Sequence, residues 1–185
     1  MYKLKEIFKT KSNLLSMFRL LLAIPFWFLM DNLGLETYRI IIFCLCIFAA
    51  ITDILDGYLA RRFNEVTEMG KIIDPLADKV VIAVIIVKLF VSGEIPAYYF
   101  WIIILRDVII FLGGIYVSKR IGRVLPSNML GKITVASIGI FILIVLAQIE
   151  HNNIIYFSFF YLSILLTFAS LTGYMIRSVE FMKKH

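Results

Sequence analysis

Apolar residues fall into six long runs along the chain, and short polar or charged segments separate these runs. The runs cover residues 14–30, 38–60, 74–91, 97–117, 130–147 and 154–176. Each run is near the roughly 20 residues that a helix needs to cross the hydrocarbon core of a bilayer. The pattern therefore predicts an all-α integral membrane protein with six transmembrane helices.

Before the first run, residues 1–12 alternate between basic and apolar side chains, with lysines at positions 3, 5, 9 and 11. This alternation predicts a short interfacial helix whose lysines face anionic lipid headgroups. A secretory signal peptide is the competing interpretation. It is disfavoured because no small-x-small cleavage site follows the first apolar run.

Composition supports the membrane assignment. The chain is 61% hydrophobic and its mean hydropathy is +0.92, whereas soluble domains are roughly 45–50% apolar. A length of 185 residues predicts one membrane domain covering residues 1–185. Cys44 and Cys46 lie two positions apart in one apolar run, so their side chains point in different directions on a helix and no disulfide between them is expected.

The basic residues are unevenly distributed between the connections. Segments 31–37, 92–96 and 148–153 contain no Lys or Arg, whereas the termini and segments 61–71 and 119–132 hold most of the 19 basic residues. Because basic loops stay in the cytoplasm, both termini are predicted to be cytoplasmic. The net charge of +6 is thus explained by membrane topology, and no nucleic-acid partner is expected.

Four aspartates lie at the end of the second apolar run and the beginning of the third. Asp53 and Asp56 are three residues apart and Asp74 and Asp78 four apart, so each pair shares one helix face. Two such helices side by side would direct four carboxylates into one cavity, which suits divalent cations such as Mg²⁺, Mn²⁺ or Ca²⁺. Asp74 is also predicted to be the N-cap of the third helix, with Pro75 as the first helical residue. The competing interpretation of the four aspartates is that they serve only in helix capping and solvation. Capping explains one or two of the four carboxylates.

Small and basic residues follow the first aspartate pair. Gly57 and Ala60 leave a shallow wall on the helix, and Arg61 adds a guanidinium fork suited to phosphate. With Gly70, the whole pattern reads D-x2-D-G-x2-A-R-x8-G-x3-D-x3-D, eight fixed residues over 26 positions. It resembles the signature of the CDP-alcohol phosphatidyltransferase family at every fixed position. Upstream, Asn13, Ser16 and Arg19 are also similar to family members, although the family usually has Thr at the position of Ser16.

The resemblance implies a role for each of these residues. Asp53, Asp56 and Asp74 would bind divalent metal, as two Mg²⁺ or Mn²⁺ ions, and Asp78 would be a metal ligand, the general base, or both. The resemblance places six residues in the CDP-lipid site: Asn13, Arg19, Gly57, Ala60, Arg61 and Gly70. From the residues alone, Arg19 at a membrane edge could also extend to the lipid surface, as an alternative to contacting a diphosphate or a carboxylate.

Basic residues in the second half of the chain predict a pocket for the acceptor. Arg106 lies about ten residues into its run, where a charge is costly unless it faces an anion or a wet cavity. Together with Lys132 and Arg123 it would bind an acceptor that itself carries a phosphate, with contact to anionic lipid as the competing interpretation. Asp107 is adjacent to Arg106, but neighbouring helical residues point about 100° apart, so separate partners are predicted. A local ion pair between Arg106 and Asp107 is the alternative, and it would satisfy Arg106 without an acceptor phosphate.

By resemblance, the expected reaction transfers a phosphatidyl group from CDP-diacylglycerol to a small polar alcohol and releases CMP. The expected acceptor is sn-glycerol 3-phosphate, in a homodimeric enzyme of the cell membrane with its active site facing the cytoplasm. Arg106-Asp107 differs from the Arg-Glu of many glycerophosphate-using members, so phosphatidylglycerol, inositol phosphate and serine stay open as acceptors. An intramembrane prenyltransferase and a cation transporter are the alternatives outside the family. Release of CMP distinguishes the family chemistry from both.

Overall fold

The structure is a computed structural model that describes residues 11–63, 70–121 and 129–184, with side chains described for 17–55, 77, 79–117 and 129–182. The described residues form six α-helices and one short 3-10 helix, with no strand among them. The α-helices are α1 (Lys11–Leu29), α2 (Glu36–Phe63), α3 (Gly70–Val91), α4 (Ala97–Ile121), α5 (Met129–Leu146) and α6 (Ile154–Lys184). Each predicted apolar run corresponds to one helix, which confirms the all-α prediction.

Four of these helices are long and apolar enough to cross a membrane, judged over the described residues by length and composition. The candidate spans are Glu36–Leu55, Ala97–Val117, Met129–Leu146 and Ile154–Met182. The chain is therefore a multi-pass membrane protein. The predicted interfacial helix lies outside the described residues, except that its last two positions belong to α1.

The chain forms two compact units, Met1–Gly93 and Glu94–His185. In the first, α1 packs against both α2 and α3. Its core is made of apolar side chains that are buried on these helices, among them Leu22, Phe26, Ile42, Val81 and Leu89. Thus α1, which carries none of the eight signature residues, contacts both helices that carry them.

At one end of the first unit, a buried lysine links the helices. Lys88, in the last turn of α3, is 7% exposed and forms an ion pair with Asp31 of the 3-10 helix Met30–Asn32. Its ammonium also lies 4.1 Å from the ring centroid of Trp27 on α1, a cation–π distance. Buried Arg39, near the start of α2, donates from Nε to the carbonyl of Leu33 at 3.2 Å. These contacts join the ends of α1, α2 and α3.

In the second unit, α6 packs against both α4 and α5. At one end an aromatic cluster fills the core, in which the ring of Tyr99 lies 4.8 Å from that of Phe141 and 5.0 Å from that of Phe160. The Tyr99 hydroxyl is 2.9 Å from Ser163 Oγ, so this buried phenol is hydrogen bonded. Asn153 caps α6 by accepting a hydrogen bond from the Ile155 amide at 2.9 Å.

The start of α3 differs from the prediction. Asp74 was expected to be the N-cap, with Pro75 as the first helical residue, but residues 70–73 are already helical. The prediction was wrong because proline is also accommodated inside a helix at the cost of one backbone hydrogen bond, and packing of α3 against α1 can offset that cost. Asp74 and Asp78 therefore both lie on helical backbone, one turn apart.

Candidate active site

The first aspartate of the signature is held by an arginine from another helix. Arg19 on α1 is 2% exposed, and its Nη1 donates to Oδ1 of Asp53 on α2 at 2.9 Å. The Asp53 side chain is 53% exposed. Arg19 thus contacts a carboxylate inside the protein, one of the partners expected for it, and it does not extend to the lipid surface.

The other signature residues are placed through their backbones. Asp56, Gly57, Ala60 and Arg61 continue α2 beyond Asp53. Gly70, Asp74 and Asp78 belong to α3. Their side chains lie outside the described residues, as does that of Asn13 on α1. Each aspartate pair is on a regular helix, as the spacing requires for a shared face.

The donor set fits a hard divalent cation. Asp53 offers a half-exposed carboxylate with Oδ1 on Arg19, and this contact leaves Oδ2 for a second interaction. Metal-binding carboxylates are commonly hydrogen bonded in this way, which fixes their orientation. The side chains that are described include no cluster of three or more potential metal ligands. Asp56, Asp74 and Asp78 would complete the set, all with oxygen donors that Mg²⁺ and Mn²⁺ prefer.

In the second unit, Arg106 is the centre of a polar cluster. It is 6% exposed on α4, and its guanidinium contacts two residues, Asp107 of its own helix and Ser170 of α6. Nη1 donates to Asp107 Oδ1 at 2.6 Å, while Nε and Nη2 donate to Ser170 Oγ at 3.0 and 2.7 Å. The prediction of separate partners for Arg106 and Asp107 was wrong, because the long arginine side chain folds back across the angle between the two positions.

The start of α5 also reaches this cluster. A Cβ atom at Gly131 would lie 3.6 Å from Arg106 Nη2, so the glycine leaves that nitrogen uncovered by a side chain. Lys132, the next residue, is exposed. Arg123 lies outside the described residues. The structure thus brings the segment containing Lys132 to Arg106, as expected for an acceptor pocket, while the binding role of these residues stays a prediction.

Sequence reasoning missed Ser170. It is one of several hydroxyl residues on α6 that are buried: Ser163, Thr167, Ser170 and Ser178. Positions 163, 167 and 170 follow the helical repeat, so they form one polar stripe within an apolar segment. That stripe was the available signal, because hydroxyls that recur on one face of a membrane helix commonly bond across helices.

Comparison with known proteins agrees with the signature. The family model of the CDP-alcohol phosphatidyltransferases matches residues 9–172, which include most of both units. A relative named CDP-diacylglycerol–glycerol-3-phosphate 3-phosphatidyltransferase, from Aquifex aeolicus, is 34% identical over 134 residues, covering 71% of this chain and 72% of the relative.

Two further relatives match shorter segments. The protein of the same name from Bacillus subtilis is 42% identical over 89 residues, covering 48% of this chain and 46% of the relative. A rat protein named cardiolipin synthase (CMP-forming) is 37% identical over 116 residues, covering 60% of this chain and 36% of the relative. In both cases the match spans less than half of the relative. Because the family model matches nearly the whole length of this chain, the chain belongs to the CDP-alcohol phosphatidyltransferase family.

Proposed function

We propose that this protein transfers the phosphatidyl group of CDP-diacylglycerol to sn-glycerol 3-phosphate, giving phosphatidylglycerophosphate and CMP. The observation that carries the proposal is the match to the Aquifex aeolicus protein of that activity over 72% of its length. The buried guanidinium of Arg106 supports an acceptor that carries a phosphate, because Asp107 and Ser170 engage three of its five N–H groups and leave two that suit phosphate oxygens.

The residues of the first unit would hold the donor. Asp53, Asp56, Asp74 and Asp78 would bind one or two divalent ions, which neutralise charge on the diphosphate and on the leaving CMP. Arg19 orients Asp53 for this role through its 2.9 Å contact. The CDP-lipid would lie against the residues after the first aspartate pair, namely Gly57, Ala60 and Arg61, together with Gly70 and Asn13.

The reaction is a displacement at phosphorus. The acceptor hydroxyl oxygen forms a bond to the phosphorus that carries the diacylglycerol, and the bond from that phosphorus to the oxygen of CMP breaks. Asp78 accepts the hydroxyl proton, because a general base must lie near the attacking oxygen and Asp78 is one helical turn from the proposed ligand Asp74. Arg106, with Lys132 and Arg123, would bind the phosphate of the acceptor.

The test is a panel of acceptors with the purified protein, labelled CDP-diacylglycerol and Mg²⁺. We expect CMP release with sn-glycerol 3-phosphate and little with phosphatidylglycerol, inositol phosphate or serine. Release with phosphatidylglycerol instead would make the protein a cardiolipin synthase, the activity named for the rat relative. No release of CMP with any acceptor would contradict the proposal and leave the prenyltransferase and transporter alternatives.

We further propose six transmembrane spans with both termini and the active site in the cytoplasm. In a background in which Cys44 and Cys46 are replaced by alanine, a cysteine at Asn64 is expected to react with an impermeant maleimide from the cytoplasmic face. A cysteine at Asn152 should react from the opposite face, because the connection that contains it lacks Lys and Arg. Labelling of both from one face would contradict this topology.

Residues 1–185 would form one functional domain, since the matched range 9–172 includes parts of both units. Assembly as a homodimer is part of the proposal on the ground of the family resemblance alone.

A further inference from the structure

Ser170 holds one edge of the Arg106 guanidinium. Its Oγ accepts hydrogen bonds from both Nε and Nη2, at 3.0 and 2.7 Å, and both residues are buried. These two nitrogens form one side of the planar group, so the serine fixes the plane as well as the position of the charge. Asp107 then holds the other terminal nitrogen, Nη1.

Some N–H groups of Arg106 are left available for a ligand. An arginine has five N–H groups, and three of those of Arg106 are engaged by Ser170 and Asp107. One N–H remains on each terminal nitrogen, and neither donates to any residue that the structure describes. Gly131 places no side chain beside Nη2, where a Cβ atom would lie 3.6 Å from that nitrogen. Two terminal N–H groups in one plane match two oxygens of a phosphate.

The chemistry of the anchors also favours an anion. Ser170 is neutral, so it orients the guanidinium without cancelling its charge. Among the described residues, Asp107 carries the one carboxylate that contacts Arg106, and it is a monoanion, whereas a phosphate monoester carries between one and two negative charges. A neutral anchor on one edge therefore leaves Arg106 able to attract a dianionic group.

We infer that Ser170 is a positioning residue for the acceptor: it holds Arg106 so that the remaining N–H groups of the guanidinium meet the phosphate of the incoming alcohol. This inference rests on the proposed function. It adds a residue outside the signature, on α6, to the determinants of acceptor specificity. Because the arginine is held before the ligand arrives, less side-chain entropy is lost on binding.

The experiment compares Ser170→Ala with Ser170→Thr, which retains the hydroxyl, and with Thr167→Val. Thr167 is a matched control, since it is buried on the same helix and its hydroxyl donates to the Ser163 carbonyl at 2.7 Å. For each variant we would measure KM for sn-glycerol 3-phosphate, KM for CDP-diacylglycerol, and the melting temperature in detergent.

Ser170→Ala is expected to raise KM for sn-glycerol 3-phosphate about tenfold, as for loss of a hydrogen bond to a charged group, and to leave KM for CDP-diacylglycerol within about twofold. Ser170→Thr should restore most of the affinity, and Thr167→Val should alter neither constant. An equal rise in both KM values, or an unchanged acceptor KM in a folded Ser170→Ala protein, would overturn the inference.

The acceptor used by the wild-type protein distinguishes failure of this inference from failure of the proposed function. If the wild type uses only an acceptor without phosphate, the proposed function and the inference both fail. If it uses sn-glycerol 3-phosphate and Ser170→Ala leaves the acceptor KM unchanged, only the inference about Ser170 fails.

Discussion

Replacement of Asp53, Asp56 or Asp74 by asparagine is expected to lower turnover by at least ~10³-fold, because metal binding and charge neutralisation supply several kcal/mol of transition-state stabilisation. Asparagine keeps the size of the side chain and removes the negative charge that a divalent ion needs. Turnover by the purified variants, with CMP release as the readout, measures the effect. Chelation of the wild-type protein should abolish activity, and Mg²⁺ or Mn²⁺ should restore it.

Glu36→Gln provides the control for these variants. Glu36 is an exposed acid in the first turn of α2, the helix that carries Asp53 and Asp56, so the substitution makes the same change of charge away from the signature. Near wild-type turnover is expected for Glu36→Gln. Full activity in excess EDTA, or of the Asp56→Asn protein, would show that the carboxylates do not act through a metal ion.

Arg106→Ala is expected to raise KM for sn-glycerol 3-phosphate roughly ten- to a hundredfold, since a charge-assisted contact contributes about 1.5–3 kcal/mol. KM for CDP-diacylglycerol should stay nearly constant. Lys132→Ala should change the acceptor KM less, because Lys132 is exposed and its ammonium lacks the planar fork with which arginine binds two phosphate oxygens. Initial rates with each substrate varied in turn give both constants.

Two further variants test whether the change in acceptor KM depends on the guanidinium group of Arg106. Arg106→Lys keeps the charge but loses the planar fork, so its acceptor KM should fall between those of the wild type and Arg106→Ala. Arg177→Ala removes a half-buried arginine on α6 and should leave both constants unchanged. An equal loss of affinity for CDP-diacylglycerol in Arg106→Ala would place Arg106 in the donor site.

The helices were predictable because each apolar run has the length of a helix, and four of the six helices are also long and apolar enough, over the described residues, to cross a membrane. The signature was predictable because its residues lie close together in the chain. Contacts between distant segments were harder to predict from the sequence. A carboxylate was among the partners expected for Arg19, but it could not be identified as Asp53, because the two residues are 34 positions apart and meet through the packing of α1 on α2. Ser170 was missed for the same reason, because its partner Arg106 is 64 residues away.

Local geometry misled the prediction in two places. The angle between adjacent helical positions describes where Cβ atoms point, but a long arginine side chain can turn back, as Arg106 does toward Asp107. The Asp-Pro pair at position 74 is compatible with a helix start and also with a position inside a helix, as in α3, where residues 70–73 are already helical. In both cases several conformations satisfy the local rule, and packing selects among them.

The position of α1 has a consequence for how the enzyme is made. During synthesis α1 leaves the ribosome before α2 and α3, so a packing partner for each of these helices has already been made. A fragment that begins at Glu36 would contain all eight signature residues but would lack Arg19 and the surface on which α2 and α3 pack. Formation of the proposed donor site would therefore require α1, the first of these helices to be synthesised, as a packing partner for α2 and α3.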